Sequence, residues 1–480
     1  MNFKPVLFVV GILISILSIS MVLPMMADLY FSHEDWKIFF ISIVITAFFG
    51  GALILSNNSK EIKINTRQAF MLIFLSWLGL SIFSALPFML SELNMSYTDA
   101  FFEAMSGITT TGATVIVGLD EAPPGILLWR AILQWLGGIG IILMAMSILP
   151  FLKIGGMQIF RTELSEDEKV LPRAAQLAAS IGIIYVALTI LCIIAYILSG
   201  LETFDAVAHA MTTISTGGFS TFDSSFAHYH NTIWPEVVAI IFMLIGGMPF
   251  VLYLKALRGN IIPFTKDTQV RWFLSIIIIT TTLVTTYLIV HEDTEGIEAF
   301  RRALFNIVSI ITGTGYANGD YNSWGSFSIS IFFFIMLVGG CAGSTSCGIK
   351  IFRFQVLCAV TLAQIKRLLY PHGVFIPHYN GKTIAPDVPL SVMGFFFMYM
   401  FTCAIVAVAL SFVGMDFLEA MSGAVTAVSN VGPGLGNIGP NGNFKHLSDS
   451  AKWILSAAML VGRLEIFTLL VLLSPKFWAR

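Results

Sequence analysis

Asp99-Ala-Phe-Phe-Glu-Ala-Met-Ser-Gly-Ile-Thr-Thr-Thr-Gly112 begins with an acid, runs on as a short amphipathic stretch, and ends in hydroxyl residues and a glycine. From Asp99 to Thr109 it is about 11 residues, or about 16 Å of helix, half of what a bilayer core requires. Its ending recurs three times as a hydroxyl residue followed three positions later by glycine. The other copies are Ser215-Thr216-Gly217-Gly218, Thr312-Gly313-Thr314-Gly315 and Ser429-Asn430-Val431-Gly432, each between two long apolar runs. Glycine frees the backbone to turn its carbonyls toward an axis. Rings of such carbonyls can replace the hydration shell of an alkali cation. A single Thr-x-x-Gly reads as a site of close helix packing. Four copies in register, each after a half-span helix, read as a cation filter.

Outward from these segments, composition sets the class. Of 480 residues, 56% are hydrophobic and 11% charged, against about 25% charged in soluble domains. Apolar runs near 6–30, 36–56, 68–91, 124–152, 174–199, 232–256, 271–290, 325–350, 388–412 and 449–473 give about ten spans. The first is too long for a signal-peptide core and lacks a cleavage site, so it reads as a retained span. The net charge of −2 selects no partner. Cys192, Cys341, Cys347, Cys358 and Cys403 lie in or beside apolar runs with no histidine at ligand spacing, which argues against disulfides and zinc.

One set of loops is basic: Lys60, Lys63 and Arg67; Lys153, Arg161, Lys169 and Arg173; Lys255, Arg258, Lys266 and Arg271; Lys350, Arg353, Lys366 and Arg367; Lys476 and Arg480. These belong on the cytoplasmic side, with both termini. The four filter segments then fall on the outer side. After two extra spans, the order of outer span, short helix, filter segment and inner span repeats four times. Each unit crosses twice, so the units are parallel and related by an axis along the membrane normal. The expected fold is an all-α membrane protein: four parallel M1-P-M2 repeats in pseudo-fourfold arrangement around a central pore, preceded by two extra transmembrane helices. The divisions are 1–66 for the N-terminal pair, then repeats at 67–170, 171–268, 269–384 and 385–480. Repeats one and two align without a gap from Asp99 and Asp205. Repeat four, from Asp416, needs a few extra residues before its glycine. Repeat three is the most divergent, with Arg302 in place of the aspartate.

A second cluster, Gly339, Gly340, Gly343, Ser344, Thr345, Ser346 and Gly348 before Lys350, interrupts the inner span of repeat three. Backbone freed inside a membrane needs partners or water, so this break reads as lining the cavity, with packing as the alternative. Its glycines are five apart, as in a phosphate loop. The lysine comes one place late and no Ser or Thr follows it, which rejects nucleotide binding. Arg463 lies within the last apolar run, where a charge is functional by default. The alternative is a buried pair with Glu465, although residues two apart point to different helix faces. Asp120, Asp223 and Asp320 form either an acidic outer mouth or solvated loop charges. Glu103 and His209, at matching places on two short helices, read as bonding backbone around the filter. No acid–base or metal constellation marks the chain as an enzyme.

The chain resembles the superfamily of K⁺ transporters that contains the Trk, Ktr and HKT proteins, and within it the bacterial TrkH subunits. The resemblance covers almost the whole length. It rests on Gly107-Ile-Thr-Thr-Thr-Gly-Ala-Thr114, Leu133-Gln-Trp-Leu-Gly-Gly-Ile-Gly140, Gly155-Gly-Met-Gln158, Ser215-Thr-Gly-Gly-Phe-Ser220, Gly339-Gly-Cys-Ala-Gly-Ser-Thr345, Asn430-Val-Gly-Pro-Gly-Leu-Gly436 and Gly462-Arg-Leu-Glu-Ile-Phe467. It implies K⁺ uptake across the bacterial inner membrane, a homodimeric pore subunit, and a separate cytoplasmic TrkA-like subunit that binds nucleotide. K⁺ is then the transported ion, with no organic cofactor in this chain. Carried over residue by residue, the filter is Thr111 and Gly112, Gly217 and Gly218, Thr314 and Gly315, Val431 and Gly432, with Thr110, Thr216, Gly313 and Asn430 before them. The resemblance makes the repeat-three break an intramembrane gate and turns Arg463 toward the pore beneath the filter. The stretch Ile245-Gly-Gly-Met-Pro-Phe250 departs from the more polar one of several TrkH proteins. One glycine shared by all four segments implies modest selectivity, admitting Rb⁺ and Na⁺. The sequence leaves open passive conduction and coupling of K⁺, or another cation, to H⁺ or Na⁺.

Overall fold

A computed structural model of the chain describes residues 3–58, 64–147, 156 and 170–478. Of the basic residues named above, Lys60, Lys63, Lys153, Arg161, Lys169 and Arg480 lie outside the described residues, as does the side chain of Arg173. Gly155, Met157, Gln158 and the end of the expected span 124–152 also lie outside them.

The described chain is nearly all helix, with one two-residue hairpin pairing His378–Tyr379 and Lys382–Thr383. Among the described residues, seven helices are long and apolar enough to cross a membrane, and up to nine if each of two bent pairs counts as one span. Helices α1 (Lys4–Ser20) and α2 (Val22–Tyr30) form one span and pack on α3 (Trp36–Asn57). Apolar burial drives little association inside lipid, so close approach through small residues matters more. Gly11 and Gly50 supply it: a methyl on Gly50 would lie 2.5 Å from Ser15 Oγ and 3.0 Å from Ser15 N.

The order of long helix, short helix and inner helix then recurs four times. The first set is α4 (Thr66–Leu90), α5 (Tyr97–Ile108) and α6 (Pro124–Ser147). The second is α7 (Val170–Leu198), α8 (Thr203–Ile214) and α9 (Trp234–Gly247), continued by α10 (Phe250–Leu257) and a short α11 (Ile262–Lys266). The third is α12 (Thr268–His291), α13 (Gly296–Ile311) and α14 (Gly325–Ile335), followed after a loop by α15 (Ile351–Leu369). The fourth is α16 (Asp387–Phe412), α17 (Phe417–Ser429) and α18 (Asp449–Arg463), continued by α19 (Phe467–Leu473) and α20 (Pro475–Trp478). Neighbouring sets interlock: α8 packs on α6, α13 on α9, and α18 on α5. The last joint closes the circle, and Lys452 Nζ of α18 reaches Asp99 Oδ1 of α5 at 2.6 Å.

Three expected inner spans are not continuous helices. The run 232–256 bends by 94° between α9 and α10. Pro249 lacks an N–H and pushes the preceding Met248 into extended backbone (φ −94°, ψ 159°). The run 449–473 bends by 107° after Arg463, where Glu465 turns left-handed (φ +56°). Arg463 therefore ends a helix and does not sit in mid-span. In the run 325–350, helix stops at Ile335 and a loop follows.

The spacing expected for repeat four also needs correction. The short helices α5, α8 and α17 are capped by Ser96, Glu202 and Asp416, and Gly112, Gly218 and Gly432 each lie sixteen residues beyond the cap. No extra residues are present. Asp416 is the cap, and Glu419 holds the place of Asp99 and Asp205. In the third set the cap is Glu295, twenty residues before Gly315, and Glu298 supplies the first-turn acid. It pairs with Arg302 one turn on. All four short helices thus carry an acid where the helix dipole favours one.

Gly50 and Gly51 give a matched test of this packing. Gly50→Ala must separate two helix backbones, a misfit of about 1–3 kcal/mol, whereas Gly51 has nothing within 4 Å of its missing Cβ. Thermal unfolding of the purified protein in detergent should show a lowered midpoint for Gly50→Ala and none for Gly51→Ala.

Candidate ion pathway

The four short helices end in the same way. Thr111 N bonds Ser106 O (2.8 Å), Gly217 N bonds Thr212 O (2.8 Å), Thr314 N bonds Ser309 O (2.9 Å) and Val431 N bonds Thr426 O (3.0 Å). One residue earlier, Thr110, Thr216, Gly313 and Asn430 bond carbonyls three residues back. This pair of bonds is the Schellman cap, and it needs a left-handed residue between helix and loop. Thr110, Thr216, Gly313 and Asn430 hold that place, at φ +53°, +50°, +73° and +51°. For a β-branched threonine that backbone costs about 1–2 kcal/mol. Two residues on, Gly112, Gly218, Gly315 and Gly432 also have positive φ, from +82° to +108°. The chain therefore alternates hand along each segment, which no run of ordinary residues would do.

The segments meet one another in cyclic order. A methyl on Gly112 would overlap the carbonyl of Gly217, one on Gly218 that of Thr314, and one on Gly315 that of Val431. A methyl on Gly432 would lie 2.7 Å from the carbonyl of Thr111, which closes the ring. The four carbonyls belong to Thr111, Gly217, Thr314 and Val431, each one residue before a filter glycine. All twelve residues expected in the filter therefore fall in one assembly, on the four turns and the glycines after them.

Buried side chains brace this ring from outside. Gln134 on α6 donates to Gly217 O (2.6 Å) and accepts from Phe219 N (3.0 Å). One turn earlier, Arg130 bonds Glu103 (2.8 Å) and Ser220 O (2.6 Å) and lies over the Phe219 ring. Glu103 in turn accepts from Val115 N (2.9 Å). His209 contacts Ser220 Oγ at 3.1 Å. Glu103 thus bonds backbone after the filter turn, as expected, whereas His209 meets a side chain there and the backbone of its own helix at Asp205 O. Asn430 Nδ2 donates to Thr111 Oγ1 and to Met459 O, both at 2.9 Å, tying the fourth segment to the first. Arg130 escaped sequence reasoning and Gln134 entered it only as part of the Leu133–Gly140 motif, with no role, although a charge within an apolar run four residues from an amide was a signal for them. Asn430 was counted only as backbone.

Above the ring, a small cavity is lined by Gly112, Gly218, Gly315, Arg130, Asp223 and Pro433 among others, with about 70 Å³ of water-accessible space. Asp223 accepts from Gly118 N (2.8 Å) and Leu119 N (3.1 Å), and Asp320 caps the turn at Asn322. Of the three acids weighed for the mouth, Asp223 lines this cavity. Asp120 meets Asp223 N at 3.4 Å.

Below the ring lies the loop between α14 and α15. Thr345 Oγ1 reaches Thr216 Oγ1 (3.2 Å) and donates to Ile214 O and Gly246 O (3.1 and 3.0 Å). Cys341 N bonds Gly247 O (2.9 Å), and Phe250 N bonds Gly343 O (2.9 Å). The loop of one set thus supplies the partners that the broken inner helix of another lacks. Inside the loop, Gly340 N bonds Ser346 Oγ (2.8 Å), Ser344 Oγ bonds Cys341 O (2.6 Å), and Lys350 Nζ donates to Ser346 O. A side chain on Gly339 would overlap Cys347 O. Arg463 completes the group: it contacts Cys347 Sγ (2.5 Å), donates to Gly137 O (2.7 Å) and lies over Trp77. Its expected alternative partner, Glu465, pairs with Arg353 at 2.5 Å instead. The structure thus brings Gly339, Gly340, Gly343, Ser344, Thr345, Lys350 and Arg463 together beneath the ring.

Replacing Gln134 by Leu keeps the bulk and strands two buried backbone groups, at a cost of roughly 1–3 kcal/mol each. The variant should fold with a lower unfolding midpoint and show a cation-uptake rate reduced several-fold, with altered discrimination between Rb⁺ and Na⁺ in proteoliposomes. Unchanged discrimination and rate would show that the brace is dispensable.

The model of the TrkH family, described as cation transport protein, matches residues 36–480. The Trk system potassium uptake protein TrkI of Halomonas elongata is 43% identical over 479 residues, 99% of this chain and 97% of that one. The Trk system potassium uptake protein TrkH of Vibrio parahaemolyticus is 38% identical over 486 residues, all of both chains. The crystal structure of the potassium transporter TrkH from Vibrio parahaemolyticus superposes with a TM-score of 0.92 over the whole of both chains, at 36% identity.

Proposed function

This chain belongs to the TrkH family of cation transport proteins, and from that premise we propose that it takes up potassium ions across the bacterial inner membrane. The ion passes a filter of main-chain oxygens contributed by Thr110 to Gly112, Thr216 to Gly218, Gly313 to Gly315 and Asn430 to Gly432. The single observation that carries this reading is the cyclic contact of each filter glycine with the next segment's carbonyl. Four backbone turns so arranged offer main-chain oxygen dipoles, which suit a dehydrated monovalent cation. Arg463 and Lys350 beneath them discourage cations from resting in the lower cavity while the loop from Gly339 to Lys350 is in place. That loop is the gate: its displacement from the Gly246–Gly247 break opens the path.

In this reading the chain divides at 66, 170, 268 and 384 into the N-terminal pair and four repeats. It works as a homodimer with both termini cytoplasmic and meets a TrkA-like nucleotide-binding subunit on its basic loops. It is a transporter and performs no chemistry.

Gly218→Ala tests the filter. The added methyl overlaps Thr314 O and forces a non-glycine residue to φ +82°. In cells lacking other potassium uptake, this variant should lose growth at low K⁺ and at least 10-fold in Rb⁺ influx. Gly319→Ala, with nothing within 4 Å of its missing Cβ, should keep both. Wild-type influx through a normally expressed Gly218→Ala protein would overturn the filter assignment.

A further inference from the structure

Beneath the loop lies a cavity with about 30 Å³ of water-accessible space, lined by Ser346, Lys350, Arg353, Tyr399, Arg463 and Glu465 among others. A water needs about 10–15 Å³ on this measure, so the space holds one or two small particles. Three of the lining side chains are cations and one is a carboxylate. Glu465 is taken by Arg353 at 2.5 Å, and the Arg353 guanidinium lies 3.6 Å over the Phe395 ring. That leaves Lys350 and Arg463. Both are buried, at 9% and 1% exposure. Among the described residues, neither has a carboxylate in ion-pair range. Lys350 Nζ gives one hydrogen bond, to Ser346 O, of the three an ammonium can donate. Arg463 Nη1 and Nη2 are engaged with Cys347 and Gly137, while its Nε is buried with no partner.

Lys350 and Arg463 share a buried cavity with a single carboxylate, Glu465, that Arg353 already holds, and such an excess of positive charge is expensive. Unused N–H donors and a void of this size are what a small anion requires. We propose that this cavity is a binding site for a single small monovalent anion of the halide class, held between Lys350 of the loop and Arg463 at the end of α18. A larger oxyanion such as phosphate does not fit the volume. Bound there, the anion ties the loop to α18 and offsets one of the two excess charges beneath the ring. The inference concerns the region read above as the gate, but it is measured by binding, so its outcome is separate from that of the uptake reading.

Crystals of the full chain grown with bromide in place of chloride provide the test. One anomalous peak should appear in the cavity, within hydrogen-bonding reach of Lys350 and Arg463, and vanish in Arg463→Gln. In detergent, replacing gluconate by chloride should raise the unfolding midpoint saturably, by about 2 °C, through mass action on the folded state. The rise should be absent in Arg463→Gln, or in Lys350→Met if the first variant fails to fold. The proposal is overturned by an empty cavity. It is equally overturned by a chloride effect that survives in the variants, or by a peak with no chloride effect, which would mean binding at crystal concentration only.

Discussion

Inside a membrane, a helix that stops halfway leaves carbonyls and amides that must find partners in protein or water. Four helices stop halfway in this chain, and the left-handed cap at Thr110, Thr216, Gly313 and Asn430 resolves the problem the same way each time. The cap returns two amides to the helix and turns the following backbone across the axis. The next glycine, again at positive φ, lets the neighbouring segment's carbonyl approach within contact. The ring therefore depends on a backbone constraint more than on any side chain. That constraint explains why the residues in the left-handed position can differ, from Thr to Gly to Asn, while the glycine two places later cannot.

The rest of the molecule holds this ring in register. Arg130 and Gln134 fasten the second segment to the inner helix of the first set, and Asn430 fastens the fourth segment to the first. Lys452 and Asp99 close the outer circle. Two departures from fourfold symmetry fit each other. The break at Gly246 to Pro249 exposes carbonyls in one inner helix, and the loop after Ile335 exposes amides in another. Each supplies what the other lacks, through Thr345, Cys341 and Gly343. A loop held by bonds to a second irregular segment has partners for its backbone inside the protein.

Much of this was legible in the sequence because the signals are local. Apolar runs and the recurring Ser/Thr-x-x-Gly mark the helices and the four turns that end the short ones without reference to tertiary structure. The misalignment of repeat four came from anchoring on Asp416 as the counterpart of Asp99, when Asp416 is the cap and Glu419 the first-turn acid. Helix phase, not residue identity, sets the register. Pro249 was a readable break inside an apolar run, and the run 232–256 was nevertheless counted as one span without it. The long-range partners had no local sign. Arg353 and Glu465 are 112 residues apart, and Arg463 meets Cys347 across 116. Which buried charge finds which partner is decided by how the units assemble around the axis, and only the assembled structure records it.

The central claim is that four backbone carbonyls, those of Thr111, Gly217, Thr314 and Val431, surround one cation position. Anomalous diffraction from crystals grown in Rb⁺ measures this directly. The account predicts a peak on the axis of the ring, about equidistant from the four oxygens. Rubidium density absent from that ring, with ordered ions elsewhere along the molecule, would contradict it.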